Sequence, residues 1–542
     1  MPSIRALPVA LTTVALSALV GGFFGRAALA TQDRVSERYK VFTAALAAVE
    51  AEYVEEVESD RLVYGSIQGM LQTLDPHSNF LDPRAYAQLR ERQEGRYYGL
   101  GITIQVVDGD ISVQSLFEGS PAYRKGVRRG DVIARINGQD TKGWTSDQAV
   151  GELRGPRGTT VEVGLRRQGY DELIVLDVER DEINIPTILG AFMIDDVTGY
   201  VRLRDFSETT DRDLGRALDE LNGKGMKRLM LDLRDNPGGP LDQAIKVSNR
   251  FLARNDLIVY TRGRIPNSDQ DYRASDDPTI RELPVVVLVN RGSASASEIV
   301  SGALQDHDRA LVVGETTFGK ALVQSIYRIS EGAGLALTTA RYYTPSGRLI
   351  QRPWDGSFDE YLTYSMRDQS TPRPHDPAEM KYTDSGRRVY SGGGVEPDVH
   401  VPGPVEGFNP TRFGRNLYGR QMFAGFAQRF SAVGDTRIRG EARNRRLVDR
   451  GFAVTDDMVA EFREFLAQER VVIDEAAFTQ DAVFIRAMIK YDIDLALFGV
   501  AEARRHLVAS DPQAQLALTQ FADAAKLSES RRARTTVARN AR

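Results

Sequence analysis

Val289-Asn290-Arg291-Gly292-Ser293-Ala294-Ser295-Ala296-Ser297-Glu298 decides how the rest of the chain is read. The apolar run Pro284–Val289 before it has the length and β-branched content of a buried strand. Ile299-Val300-Ser301-Gly302-Ala303-Leu304 after it begins a helix. Three serines therefore stand at a strand-to-helix junction. Such a junction exposes side chains and presents backbone N–H groups that no helix turn uses. A serine hydroxyl attacks a carbonyl only when a base takes its proton. No Gly-x-Ser-x-Gly elbow is present, and His307, flanked by Asp306 and Asp308, reads as a polar helix end. A lysine is the known alternative base. Lys320 follows in Gly319-Lys320-Ala321-Leu322-Val323-Gln324, with Phe318, Ala321, Leu322 and Val323 supplying apolar surroundings. Desolvation lowers a lysine pKa, which ordinarily lies near 10.4. Gln324 stands four residues on, on the same face in strand or helix, and offers Lys320 an amide oxygen without a counter-charge that would raise its pKa.

The same pattern of strand, turn and helix fills residues 181–403. Thr198–Leu203, Arg228–Leu233, Leu257–Thr261, Pro284–Val289 and Ala310–Val313 read as strands, with helices at Thr210–Leu221, Leu241–Leu252 and from Ser297. That alternation predicts an α/β core with crossover helices, and sites form at strand carboxyl ends in such cores. Arg234-Asp235-Asn236-Pro237-Gly238-Gly239 lies at one such end and the serine stretch at another. An oxyanion hole needs two preorganised donors. Gly238 or Gly239 is a candidate for one. Ala296, or the attacking residue's own N–H, is a candidate for the other.

Upstream, Gly99-Leu100-Gly101-Ile102 opens a strand to Val107, Asp108-Gly109-Asp110 turns it, and Ile111–Leu116 returns. Ser120-Pro121-Ala122, Gly130-Asp131-Val132-Ile133 and Ile136-Asn137-Gly138 follow in order, then a helix within Trp144–Leu153 and strands at Val161–Arg166 and Leu173–Val178. In these motifs residues 95–180 resemble a PDZ domain. That resemblance implies capture of a C-terminal peptide as an added strand, with its carboxylate at Gly99, Leu100, Gly101 and Ile102. Arg154 and Arg157 are candidates to add positive charge there.

Asn-Pro-Gly-Gly, Gly-Ser-Ala-Ser-Ala-Ser-Glu and Gly-Lys-x-x-x-Gln, downstream of a PDZ-like module, together resemble the carboxyl-terminal processing (tail-specific) proteases over about residues 35–402. The resemblance implies a multidomain α/β protein with a crotonase-like protease core and an inserted β-rich PDZ domain. It also selects among the serines: Ser295 matches the nucleophile, Lys320 the general base and Gln324 its orienting partner. The expected activity is serine-type endopeptidase action on unfolded or tail-exposed proteins near their C-termini, with no cofactor and no metal. The competing expectation is a catalytically silent PDZ scaffold that binds protein C-termini.

The remaining segments are read from composition and period. The chain has 542 residues, about three or four domains' worth, with 42% apolar and 27% charged residues, a net charge of −5 and no cysteine. Disulfides and thiolate catalysis are excluded, and nothing favours a nucleic-acid partner. Ala6–Phe24 carries no charge and precedes Ala28-Leu29-Ala30, so residues 1–30 read as a signal peptide or membrane anchor. The expectation is an exported protein, periplasmic or anchored in the cytoplasmic membrane facing outward. Residues 35–94 form an N-terminal helical segment, in which Tyr39, Phe42, Leu46, Val49 and Tyr53 recur at helical spacing. Asp75-Pro76-His77-Ser78 reads as a capped turn, with His77 as a triad base the lesser option. Residues 404–530 read as helices at Met422–Phe430, Asp456–Gln468, Asp481–Leu507 and Asp511–Leu527, with roles open between capping the core, self-association and adaptor binding. Residues 531–542 read as a disordered basic tail.

Overall fold

Strands that bury both faces build the centre of the molecule. In the computed structural model the described residues are 37–117, 119–167, 170–276, 279–280, 283–329, 332–354, 358–366, 375–432 and 448–540. The signal or anchor expected at 1–30 lies outside them. The chain divides into two compact units, Met1–Pro83 with Ile326–Leu337, and Arg84–Ser325 with Thr338–Arg542.

In the first unit, α1 (37–52) and α2 (Ser59–Leu71) precede β1 (Asn79–Leu81). The expected helix is present over 37–52, yet Tyr39, Phe42 and Val49 are exposed along it and Tyr53 just beyond it. Asp75 does cap a turn: its carboxylate accepts from the N–H of His77 and of Ser78 and from the Ser78 hydroxyl, at 2.7–2.8 Å.

The second unit opens with α3 (Pro83–Glu94) and a ribbon of β2 (Arg96–Gly99) with β9 (Asp181–Asn184). Between them lie β3 (Ile102–Val107), β4 (Asp110–Leu116), α4 (Pro121–Arg124), β5 (Val132–Ile136), β6 (Gln139–Asp140), α5 (Ser146–Leu153), β7 (Thr160–Arg166) and β8 (Ile174–Glu179). Their sheet runs β3-β4-β5-β7-β8 with β6 on β5, all antiparallel. It closes over its own core of Leu100, Ile111, Val113, Ile133, Ile136, Ala149, Val161 and Val163. A capping box at Thr145 starts α5, which packs near β3.

The core follows as β10 (Ile188–Met193), β11 (Thr198–Leu203), α6 (Thr210–Gly223), β12 (Arg228–Asp232), α7 (Leu241–Asn249), β13 (Leu257–Gly263), β14 (Gln270–Arg273), β15 (Val285–Val289), α8 (Ala296–Asp306) and β16 (Leu311–Gly314). The strands β17 (Leu322–Arg328) and β18 (Gly334–Tyr343), of which Ile326–Leu337 belongs to the first unit, α9 (Phe358–Leu362), β19 (Met380–Tyr382), β20 (Arg388–Tyr390) and β21 (Val399–His400) complete it. The main sheet has the order β10-β11-β12-β15-β16-β21, parallel from β11 onward. Side chains alternate across it. Leu229, Leu231, Val285 and Val287 meet Leu214 and Leu218 of α6, Val247 of α7 and Val300 and Leu304 of α8. Met230, Val286 and Leu288 point to the opposite face. Each such buried branched side chain contributes about 1.5–3 kcal/mol.

What covers that opposite face is the end of the chain. After α10 (Arg412–Gly419), α11 (Met422–Ala432), α12 (Asp456–Gln468), α13 (Glu475–Gln480) and α14 (Ala482–Phe498) come α15 (Val500–Ser510), α16 (Pro512–Thr519) and α17 (Phe521–Asn540). Val508, Ala514, Ala517, Phe521 and Ala524 pack on Met230, Val286 and Leu288. The last three helices are thus the second helical layer of the α/β core. Helices α10–α14, with Leu507 of α15, form a separate, phenylalanine-rich cluster around Phe423, Phe426, Phe462, Phe465 and Phe484. The sequence reading differs here in detail. Gly499, at φ 88°, splits the expected helix Asp481–Leu507, and Asp511 caps a new one by accepting from the N–H of Gln513 and Ala514. The tail expected to be disordered from 531 continues α17 as helix to Asn540.

Candidate active site

The junction quoted first forms as expected: β15 ends at Val289 and α8 begins at Ala296. Its three serines have separate fates. Ser293 is fully buried, accepting from the Asn290 N–H (2.9 Å) and donating to the Leu233 carbonyl (2.8 Å). Ser297 is fully buried and donates to the Asn236 carbonyl at 3.0 Å. Ser295 alone of the three is half-exposed, and its backbone has φ 53° and ψ −111°. A positive φ costs a non-glycine residue on the order of 1–3 kcal/mol and persists only where the surroundings over-determine it.

Those surroundings are Glu298 and Tyr342. Glu298, wholly buried, accepts from the Ser295 N–H (2.8 Å) and the Lys320 N–H (2.9 Å) on one oxygen. Its other oxygen accepts from the Gly319 N–H (2.6 Å) and the Thr317 hydroxyl (2.5 Å). Tyr342 donates to the carbonyls of Ser295 (3.2 Å) and Lys320 (2.5 Å). Each of the two segments is therefore pinned by both its N–H and its carbonyl. Burial pushes Glu298 up to about 7, against the pull of the donors around it. Burial, and then Glu298 itself, push the Tyr342 phenol well above its ordinary range, so it remains a donor.

Lys320 precedes β17 and is half-buried, with Ala321 and Leu322 buried beside it. Its loop is held further by Gln351, which accepts from the Ala321 N–H (2.8 Å), and by Arg352, which donates to the Phe318 carbonyl (2.8 Å). Gln324 lies inside β17, and its amide donates to the Thr338 hydroxyl at 3.3 Å.

The Asn236–Gly239 turn abuts the serine turn. A Cβ on Gly238 would lie 2.7 Å from the Ala296 nitrogen and 2.8 Å from the Ser295 Cβ, so position 238 admits only glycine. Asn236 ties the turns together, since its carbonyl accepts from the Ala294 N–H at 2.9 Å as well as from Ser297. Of the candidate donors, the Gly238 N–H is spent on the Asn236 side chain at 2.9 Å. Among the described residues, the N–H groups of Gly239 and Ala296 have no acceptor.

His307 is committed elsewhere. Asp384 meets its Nδ1 at 2.8 Å and the Leu257 carbonyl its Nε2 at 2.7 Å. Arg154 pairs with Glu91 at 2.5 Å and Arg157 with Asp181 at 2.8 Å, so both are engaged within the chain. The loop Gly99-Leu100-Gly101-Ile102 joins β2 to β3, with Leu100 buried and Gly101 at φ 76° against Ser120. The sheet ends at β3, leaving its outer edge without a strand partner among the described residues.

Comparison with known proteins matches residues 197–355 to the model of peptidase family S41, 88–166 to the PDZ domain and 26–85 to the activating protease CtpB N-terminal domain. The carboxy-terminal-processing protease of Bartonella bacilliformis is 41% identical over 307 residues, which is 56% of this chain and 70% of that protein. The chain belongs to the carboxy-terminal processing proteases. CtpA of Bacillus subtilis, a carboxy-terminal processing protease, is 32% identical over 71% of this chain and 80% of its own. A solved photosystem II D1 C-terminal processing protease is 30% identical, with a TM-score of 0.35, over 66% of this chain and 86% of that one. As a member of this family the protein is a serine peptidase carrying a PDZ domain.

The sequence marks Glu298 only as the end of the serine stretch and does not single out Tyr342. Their joint hold on Ser295 and Lys320 depends on tertiary closure. The available signal was the Ser295-x-x-Glu298 spacing, which puts an acid one turn into a helix that already begins with a capable serine.

Proposed function

We propose that the protein is an endopeptidase in which Ser295 is the nucleophile, Lys320 the general base and Gln324 the residue that orients the lysine. The observation that carries this reading is the shared hold of Glu298 and Tyr342. Residues 25 apart in sequence are brought within two hydrogen bonds of each other, twice over, and Ser295 is the exposed one of its three serines. Neutral Lys320 takes the Ser295 proton as Oγ bonds to the scissile carbonyl carbon. The N–H groups of Gly239 and Ala296 stabilise the oxyanion. The C–N bond then breaks, the amine leaves with the proton from Lys320, and a water activated by the same lysine releases the acyl group.

The PDZ domain takes a protein C-terminus as a strand along the outer edge of β3, with its carboxylate at Gly99–Ile102, and delivers unfolded tails for cleavage near their ends. The uncharged run Ala6–Phe24 with Ala28-Leu29-Ala30 supports export to the periplasm or the outer face of the cytoplasmic membrane. The test is hydrolysis of an unfolded protein by the wild type beside Ser295→Ala, Lys320→Ala and His307→Ala. The first two should lose at least a thousandfold in kcat and the third should retain activity if folded. Activity surviving in Lys320→Ala would end the lysine assignment.

A further inference from the structure

The turn that carries Gly238 and Gly239 is held from behind by the C-terminal helices. Arg234, its first residue, is 2% exposed. The guanidinium binds Asp232 through Nε (3.0 Å) and Nη2 (2.7 Å). Its remaining partners come from α16 and its cap: Asp511 meets Nη2 at 2.7 Å and Gln513 accepts from Nη1 at 3.0 Å. Asp511 also caps α16, and Gln513 donates to the Val401 carbonyl at 2.8 Å, so neither partner is a loose surface group. Position 407 confirms how closely this joint packs, because a Cβ there would lie 1.9 Å from the Asp511 carboxylate.

A second route reaches the same turn. Arg504 of α15 grips Glu406 through two bonds, and Glu406 meets Arg202 at 3.2 Å. Arg202 in turn donates to the Asp235 carboxylate at 3.2 Å and approaches the Arg234 carbonyl at 3.5 Å. From Asn236 the connection continues into the serine turn through Ala294 and Ser297. A shift of α16 therefore has a path of directional bonds to the donors beside Ser295, buried at Arg234, Asn236 and Ser297.

We infer that Arg234 and Asp511 are a positioning pair, through which the C-terminal helices set the Gly238–Gly239 turn against Ser295. The inference rests on the oxyanion role assigned to that turn. Asp232 grips the guanidinium bidentately and fixes its plane, so the fully desolvated contact of Nη2 with Asp511 sets direction as well as distance, which a purely apolar seam does not. Displacements of about 1 Å in such a turn cost on the order of a hundredfold in rate.

The test uses the full chain with Asp511→Asn, which keeps the cap's shape and removes the counter-charge. Two rates are read: hydrolysis of an unfolded protein, as kcat and KM, and covalent labelling of Ser295 by a small fluorophosphonate, which needs the same donors. Labelling and kcat should each fall between tenfold and a hundredfold, while KM and the affinity of a C-terminal peptide for the PDZ domain stay within twofold. Gln513→Met, a smaller change, should lower the labelling rate severalfold and leave the melting temperature within a few degrees. It decides the matter if Asp511→Asn does not fold. Labelling and kcat within twofold of wild type in a folded variant would overturn the inference. Failure of the underlying reading looks different: the wild type would then not be labelled at Ser295, or Ser295→Ala would remain active.

Discussion

Glu298 and Glu406 are both buried acids that hold loops around the site, and the fold neutralises them by opposite means. Glu298 receives four neutral donors and pairs with no cation among the described residues, and burial lifts it to about 7. For Glu406 burial also pulls upward, but Arg504 and then Arg202 outweigh it and hold the carboxyl well below the usual range. The network behind the sheet thus keeps its charges throughout the physiological range, while the clamp across the Ser295 and Lys320 segments titrates within it. One region is built to be permanent. The other joins two loops whose strain at Ser295 has to be maintained, and its hold depends on pH.

The largest expected effect lies in the permanent region. Glu406→Ala leaves Arg202 and Arg504 buried side by side without their shared carboxylate. Breaking a buried pair from one side costs about 3–5 kcal/mol. Denaturant unfolding of the variant should show a loss of that size. A loss below about 1 kcal/mol would mean that the network is not what fastens α15 to the sheet.

Glu298→Gln should do the reverse, leaving stability nearly intact and damaging turnover. An amide presents N–H groups where the backbone N–H groups of Ser295 and Lys320 need an acceptor, so the two segments lose their common pin. The expected kcat is about a hundredfold lower, in line with misplacement of reacting groups by about 1 Å. At pH 8, stability should stay within about 1 kcal/mol of wild type. A variant with full kcat would remove Glu298 from the site's assembly.

The same carboxyl gives a signed pH dependence. Its folded value, about 7, lies above the ordinary 4.5, so the folded state holds the proton more tightly than the unfolded one. The stability it contributes is therefore fully present below about pH 4.5 and is lost as pH rises through 7. The amount is on the order of 3 kcal/mol. Urea unfolding between pH 5 and pH 8 should show that decline in the wild type and a flatter line in Glu298→Gln. Turnover should run the other way, since only the ionised carboxylate accepts from all four donors. Parallel slopes in the two proteins would assign the pH effect to another group.

Much of the architecture was legible because its strands are short, branched and bounded by turns, as at Arg228–Asp232 and Val285–Val289. The serine, lysine and glycine motifs were legible because they sit where those strands end. Within the helical segment expected over 35–94, helix α3 was not singled out because Pro83–Glu94 buries none of its residues and so carries no apolar stripe. The break at Gly499 was missed because the apolar period runs on past it. Harder to see was the role of the last three helices. Arg234 and Gln513 are 279 positions apart, and no local pattern links them. The one hint was a cation directly after the buried strand Arg228–Leu233, where an unpaired charge is too costly to leave.

The C-terminal helices also touch the PDZ domain, and there the buried acid has one cation where Glu406 in the core network has two. Arg129, in the turn between α4 and β5, reaches Asp492 of α14 at 3.4 Å, and Gln428 of α11 donates to the Gly130 carbonyl at 3.2 Å. Burial pushes Asp492 up to about 6 despite Arg129 beside it, so this pair is only partly compensated. A Cβ on Gly130 would lie 2.2 Å from the Gln428 amide, which makes the contact easy to disturb without touching either core. Asp492→Asn should therefore change stability by no more than about 1 kcal/mol, the range of a single weakly held pair. Its effect should appear locally, as faster amide hydrogen exchange in residues 128–131 and on α14 near 492, with exchange in β12 and β15 unchanged. Exchange that rises equally in the sheet would show that the PDZ contact and the core network form one cooperative body, and the contrast between a permanent and a yielding attachment would fail.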